Sequence, residues 1–194
     1  MDKKADFMKG NSFGLLVLDL LIGSGASAIP SGSLFIFLIN MLITIIGLSI
    51  SRYWWKTVPG TVRYNSLVTF VMLISMGFFT VTPLLRITND TLLFWPVLLL
   101  YLLVLGYSLF KKELIFQAFH RPEGSRIAFG TFVFLFVLII IGAFSFRNGQ
   151  ELLIMNMLND HQGAFFISLM LFGIGLLVSF ISSAMLKRPE DIKS

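Results

Sequence analysis

Long apolar runs alternate along this chain with short polar or basic intervals. The first run, Asn11–Ser51, contains a single ionisable side chain, Asp19. A turn at Ile29–Ser33, carrying Pro30 and Gly32, divides it into two segments, Phe13–Ala28 and Leu34–Ser51. Four more runs follow at Ser66–Leu85, Leu92–Phe110, Ile127–Phe146 and Ala164–Leu186. Each is close to the ~20 apolar residues that one helix needs to cross a bilayer. Hydrocarbon offers backbone N–H and C=O groups no partner, so spanning segments are expected to be helical. The pattern predicts an all-α, polytopic membrane helix bundle with six transmembrane helices arranged as three hairpins. Residues 1–194 are read as one integral membrane domain.

Composition agrees with the pattern. Hydrophobic residues make up 56% of the chain and charged residues 13%, against ~25% charged in an ordinary soluble domain. A net charge of +5 in a soluble protein would suggest nucleic acid. Here the cations fall in the connections, as the positive-inside rule expects, and no nucleic-acid partner is read from them. If all six spans cross and the N-terminus is cytoplasmic, every Lys and Arg except Arg86 and Arg147 lies inside. Both termini are then cytoplasmic, in a cell membrane. Tyr53, Trp54 and Trp55 fit an aromatic belt at one face, and Trp95 starts the fourth span. The basic N-terminus with Ala26-Ser27-Ala28 has the outline of a cleavable signal peptide. Asp19 interrupts its apolar region and only Ile29–Ser33 separates it from the next span, so the segment is expected to be retained. The chain has no Cys, which removes disulfides and thiolate chemistry.

Candidate chemistry is sparse. By rise per residue, Asp19 lies ~2 Å from the middle of its span and Asn40 ~4 Å beyond the middle of the next, an axial offset of ~6 Å that two side chains or one water can bridge. A carboxylate at that depth costs ~2.5–3.5 kcal/mol on insertion scales, so it should face the bundle or a water-filled cavity. Thr44, Ser75 and Tyr101 fall near the middle of their own spans. Asp19, Asn40, Thr44, Ser75 and Tyr101 therefore form the candidate binding set. The competing reading is interhelical hydrogen bonding, worth ~0.6 kcal/mol per contact. Small residues recur at helix-contact spacing: Gly175, Ser179 and Ser183; Gly47 and Ser51; Gly23 and Ser27. Close helix packing is their expected use, and the Gly23–Ala28 cluster also fits an unwound helix end lining a cavity. Residues Arg147–Gly163 read as a short amphipathic outer segment, either a lid or an interfacial helix.

No enzyme signature emerges. His120 and His161 fall on opposite sides, and no His lies within a span. One membrane Asp does not make an aspartyl pair, and no phosphate-binding loop or metal-ligand cluster is present in the sequence. No catalytic residue, metal or cofactor is expected. The leading expectation is a non-enzymatic, permease-like or accessory subunit whose partners are the lipid bilayer and either another membrane protein or a second copy of itself. A small-solute transporter using the Asp19 region is the alternative, and a membrane enzyme acting on lipid is the least favoured.

Overall fold

The computed structural model describes residues 7, 11–144 and 158–187. Among these residues there are only helices: α1 (Asn11–Ala28), α2 (Leu34–Thr57), α3 (Thr61–Thr88), α4 (Phe94–Phe110), α5 (Lys112–His120), α6 (Arg126–Phe144) and α7 (Asp160–Ser182), the last ending in a 3-10 turn at Ser183–Leu186. α1, α2, α3 and α7 with its terminal turn are long and apolar enough to cross a membrane. α4 and α5 together make a fifth candidate, bent by 76° between them, and the apolar stretch Arg126–Gly142 of α6 is shorter. The molecule is a helical bundle of membrane type. Most of the Arg147–Gly163 segment lies outside the described residues.

Local chemistry sets several helix boundaries. The Ser33 hydroxyl accepts from the Ile36 amide and starts α2. Asn159 and Gln162 form a reciprocal capping box that starts α7. Gly60, at φ 89°, turns the chain into α3, in a left-handed conformation that costs glycine little. The polar interval between the runs Leu92–Phe110 and Ile127–Phe146 is not all loop: nine of its residues form α5. Its pattern is amphipathic rather than apolar, with Ile115 and Ala118 buried and Leu114 exposed, so a search for spanning runs passes over it. α1 is helical through Ala28, and the Gly23–Ala28 cluster is not unwound.

α3 is the centre of the bundle. α1 runs parallel to it, with Ser12 and Tyr64 hydroxyls 2.5 Å apart and Asp19 bonded to Ser75 further along. α7 runs antiparallel to α3 and makes the most extensive contact in the molecule. A Cβ built on Gly175 would stand 2.7 Å from Thr80 Oγ1 and 2.9 Å from the Gly77 carbonyl oxygen, and one on Gly77 would collide with Ser179. The expected small-residue packing thus holds for Gly175 and Ser179, and for Gly23 and Gly47, which α2 and α3 side chains approach closely. α4 lies parallel to α7, joined by the cluster of Val81, Leu84, Tyr101 and Phe172 and by stacked Tyr107 and Phe180 rings. α6 touches α7 through Leu138, packed over Gly173.

These pairings place the start of α1, the α2–α3 connection, α5 and the end of α7 at one end of the bundle. Among the described residues, Arg86 is the only Lys or Arg at the opposite end.

The α3–α7 crossing yields a direct test. Gly175→Val should lower stability by about 1–3 kcal/mol, the usual cost of overpacking. Gly25→Ala, where nothing lies within 4 Å of a new Cβ, should leave it unchanged or slightly raised. Thermal unfolding in detergent compares the two.

Candidate functional site

Four of the five candidate residues converge where α1, α2 and α3 meet. Asp19 is 1% exposed, Asn40 2% and Thr44 1%, and Ser75 is buried on α3. Asp19 projects from α1 toward α3, where the Ser75 hydroxyl donates to its Oδ2 at 2.6 Å. Ser75 is held by its own helix, within 2.9 Å of the Val71 and Met72 carbonyl oxygens. Asn40 does not bond Asp19. Its Nδ2 donates to the Gly23 carbonyl at 2.9 Å, one helical turn beyond Asp19. The near approach of the two helices at Gly23, where a Cβ would sit 3.2 Å from Asn40 Cβ, brings the amide to that carbonyl. Thr44 donates back to the Asn40 carbonyl at 3.0 Å and so serves its own helix. Tyr101 is elsewhere, packed in the apolar cluster between α3, α4 and α7.

Two acceptors in this cluster have no hydrogen-bond partner: Asp19 Oδ1 and Asn40 Oδ1. Both residues line the same crevice with Leu20, Phe37, Met41 and Thr44. No part of the crevice is wide enough for a water molecule. A water bridge needs room as well as polar partners, so the crevice has the chemistry of a hydrated site without its volume. Among the described residues, no group of three His, Cys, Asp or Glu side chains is placed to hold a metal ion.

The most elaborate polar arrangements lie at the helix ends, where the sequence reading did not look for them. Arg86, near the end of α3, donates to the carbonyl oxygens of Ser27 at 3.1 Å, Ile29 at 2.6 Å and Ser31 at 2.7 Å. It caps the end of α1 and the turn that follows, whose last carbonyls have no partner within the helix. A cation is also favoured there by the helix dipole. At the other end of α3, Arg63 donates to the Leu186 carbonyl at 2.9 Å and Ser66 donates to that of Met185. The central helix thus ties off the ends of both neighbours. A short turn without charges after α1 was the available signal for Arg86; the partner of Arg63 is too distant in sequence to foresee.

No protein-family model, curated protein or solved structure matches this chain.

The arrangement around Asp19 predicts an asymmetry between substitutions. Asp19→Asn keeps an oxygen to accept from Ser75 and replaces the unpartnered carboxylate oxygen with an amide NH2. It should melt at or above the wild-type temperature. Asp19→Leu forces a bulkier side chain into the crevice and should cost about 1–3 kcal/mol. Melting curves in detergent for both variants provide the check; equal losses in the two would contradict the arrangement.

Proposed function

We propose that this chain is a non-enzymatic, six-span membrane protein, with three hairpins and both termini cytoplasmic, that serves as a permease-like or accessory subunit of a cell-membrane complex. The observation that carries this reading is where its polar and apolar groups go. The interior polar side chains join one helix to another in a crevice too narrow for water. Outward, α6 presents Phe129, Phe132, Phe136 and Ile139 on one face, each more than half exposed. A surface of that kind suits lipid and helix–helix association.

The span count draws support from α4 and α6, with 17 and 19 residues, within the range of ~17–25 that crosses a bilayer. The orientation draws support from the cations gathered at one end of the bundle, because cytoplasmic connections are enriched in Lys and Arg.

A second reading, a small-solute carrier centred on Asp19, is favoured by one specific observation: the two unpartnered oxygens that share the α1–α2 crevice. It requires that crevice to open.

A photo-crosslinking amino acid placed at Phe132 or Phe136 tests the leading reading in the native membrane. The expected product is a protein adduct of fixed mass, either with another membrane polypeptide or with a second copy. The Cys-free chain also permits single-Cys labelling, with Lys112 and Ser194 reacting from the cytoplasm and Asp90 and Asn156 from outside. Lipid adducts alone would overturn the subunit role, and labelling of Ser194 from outside would overturn the topology.

A further inference from the structure

The bend between α4 and α5 creates a second feature, remote from Asp19. α5 turns away from α4 by 76°. With α4 crossing the membrane, α5 lies nearly along its surface, at headgroup depth. Its buried face, Ile115 and Ala118, packs on α6 and on the turn that ends α7. Lys187 and Glu113 pair at 3.2 Å across that contact.

Where α5 meets α6 there is a cup of about 410 Å³, whose polar lining includes Gln117, Arg121, Glu123, Ser125 and Arg126. Adjoining it, and sharing Arg126 and Ile127 in its lining, an apolar groove of about 400 Å³ runs between α4, α6 and α7. Val104, Gly130, Phe134, Leu177 and Phe180 are among the residues that line it. From Arg126 to Phe134 it descends ~12 Å at the helical rise per residue. A polar cup at the end of the bundle thus lies next to an apolar groove along its side. The cup's two guanidiniums outweigh its one carboxylate, leaving a net single positive charge.

We propose that this composite groove binds one anionic phospholipid, with the phosphate held at Arg121 and Arg126 and part of an acyl chain lying along Gly130 and Phe134. Shape and charge both select this occupant. A soluble anion would leave the apolar channel unfilled, and a zwitterionic lipid, whose ammonium offsets its phosphate, would leave the site's net positive charge unmatched. Arginine pairs with phosphate in a bidentate manner, which fits its presence at both cup positions. The inference rests on the six-span reading, in which α4 crosses the membrane by itself, and not on the subunit role, so it stands or falls separately from that role.

Native mass spectrometry of the full chain in detergent, titrated with dioleoyl phosphatidylglycerol or dioleoyl phosphatidylcholine, tests it. The wild type should take up one phosphatidylglycerol before any phosphatidylcholine. Each basic side chain near an anionic lipid contributes a factor of about five. Arg121→Gln and Arg126→Gln should therefore each weaken phosphatidylglycerol binding about fivefold, and the double variant about thirtyfold, with phosphatidylcholine unaffected. The single variants carry the test if the double variant does not fold. Gly130→Phe, at a position with no atom within 4 Å of a new Cβ, fills the channel and should abolish the preferred adduct. Lys56→Gln, at the same end of the bundle but outside the groove, should change nothing. Equal binding of the two lipids by the wild type would overturn the proposal. So would undiminished phosphatidylglycerol binding in the arginine and Gly130 variants, or a loss in Lys56→Gln as large as theirs.

Discussion

The near contact of two backbones, at Gly77 on α3 and Gly175 on α7, is the constraint from which the rest of the bundle follows. Between membrane helices there is little hydrophobic driving force, because the lipid is as apolar as the side chains, and close packing supplies the attraction instead. That attraction is greatest where no side chain intervenes. α7 has no Cβ at the point where it meets the Gly77 carbonyl, and the two helices make the largest contact in the molecule. With α7 against one side of α3 and α1 against another, α3 becomes the most enclosed helix, and its polar residues acquire partners on both neighbours. Ser75 meets Asp19, Arg86 meets the end of α1, and Arg63 meets the end of α7.

Magnitudes explain why Asp19 reads as part of this packing. A carboxylate in mid-membrane costs about 2.5–3.5 kcal/mol, whereas an interhelical hydrogen bond returns about 0.6 kcal/mol on average. The single bond from Ser75 does not offset that cost, and neither Asp19 Oδ1 nor Asn40 Oδ1 gains a partner. The other contacts that hold α1 in place are its packing along α3 and the Arg86 cap at its end. Arg86 matters here because its three acceptors lie on α1 and the turn beyond it, so the same helix that carries the costly carboxylate is clamped at one terminus by a cation. The narrow crevice is a consequence: α2 closes over Gly23, and Asn40 is spent on the Gly23 carbonyl.

Much of this was legible in the sequence, for physical reasons that also mark where legibility stopped. Apolar runs near the thickness of a bilayer identify helices, and Leu34, Ala28 and Phe110 are helix termini in both the sequence reading and the structure. Asp19 was conspicuous because charge inside such a run is rare, but rise per residue put Asn40 within bridging reach of it, whereas the structure pairs it with Ser75. Asn40 was within bridging reach but donates to the Gly23 backbone carbonyl, and carbonyls carry no sequence signal. Tyr101 matched in depth and not in direction, since depth along a helix says nothing about which neighbour a face meets. α5 escaped notice because a short amphipathic helix needs one apolar stripe rather than an apolar run. The Arg63 cap joins residues 123 apart in sequence, and only the fold brings them together.

The central claim is that the polar cluster at the α1–α2–α3 junction binds helices together in a dry interior. Thr44→Cys is its most direct probe, because Thr44 lines the crevice, is 1% exposed and is close to cysteine in size, and the chain has no other thiol. A small, membrane-impermeant thiol reagent applied to both sides of the native membrane should leave this cysteine unmodified, while the denatured protein reacts fully. Rapid modification of the native protein from either side would mean that water reaches Asp19, and would contradict the account.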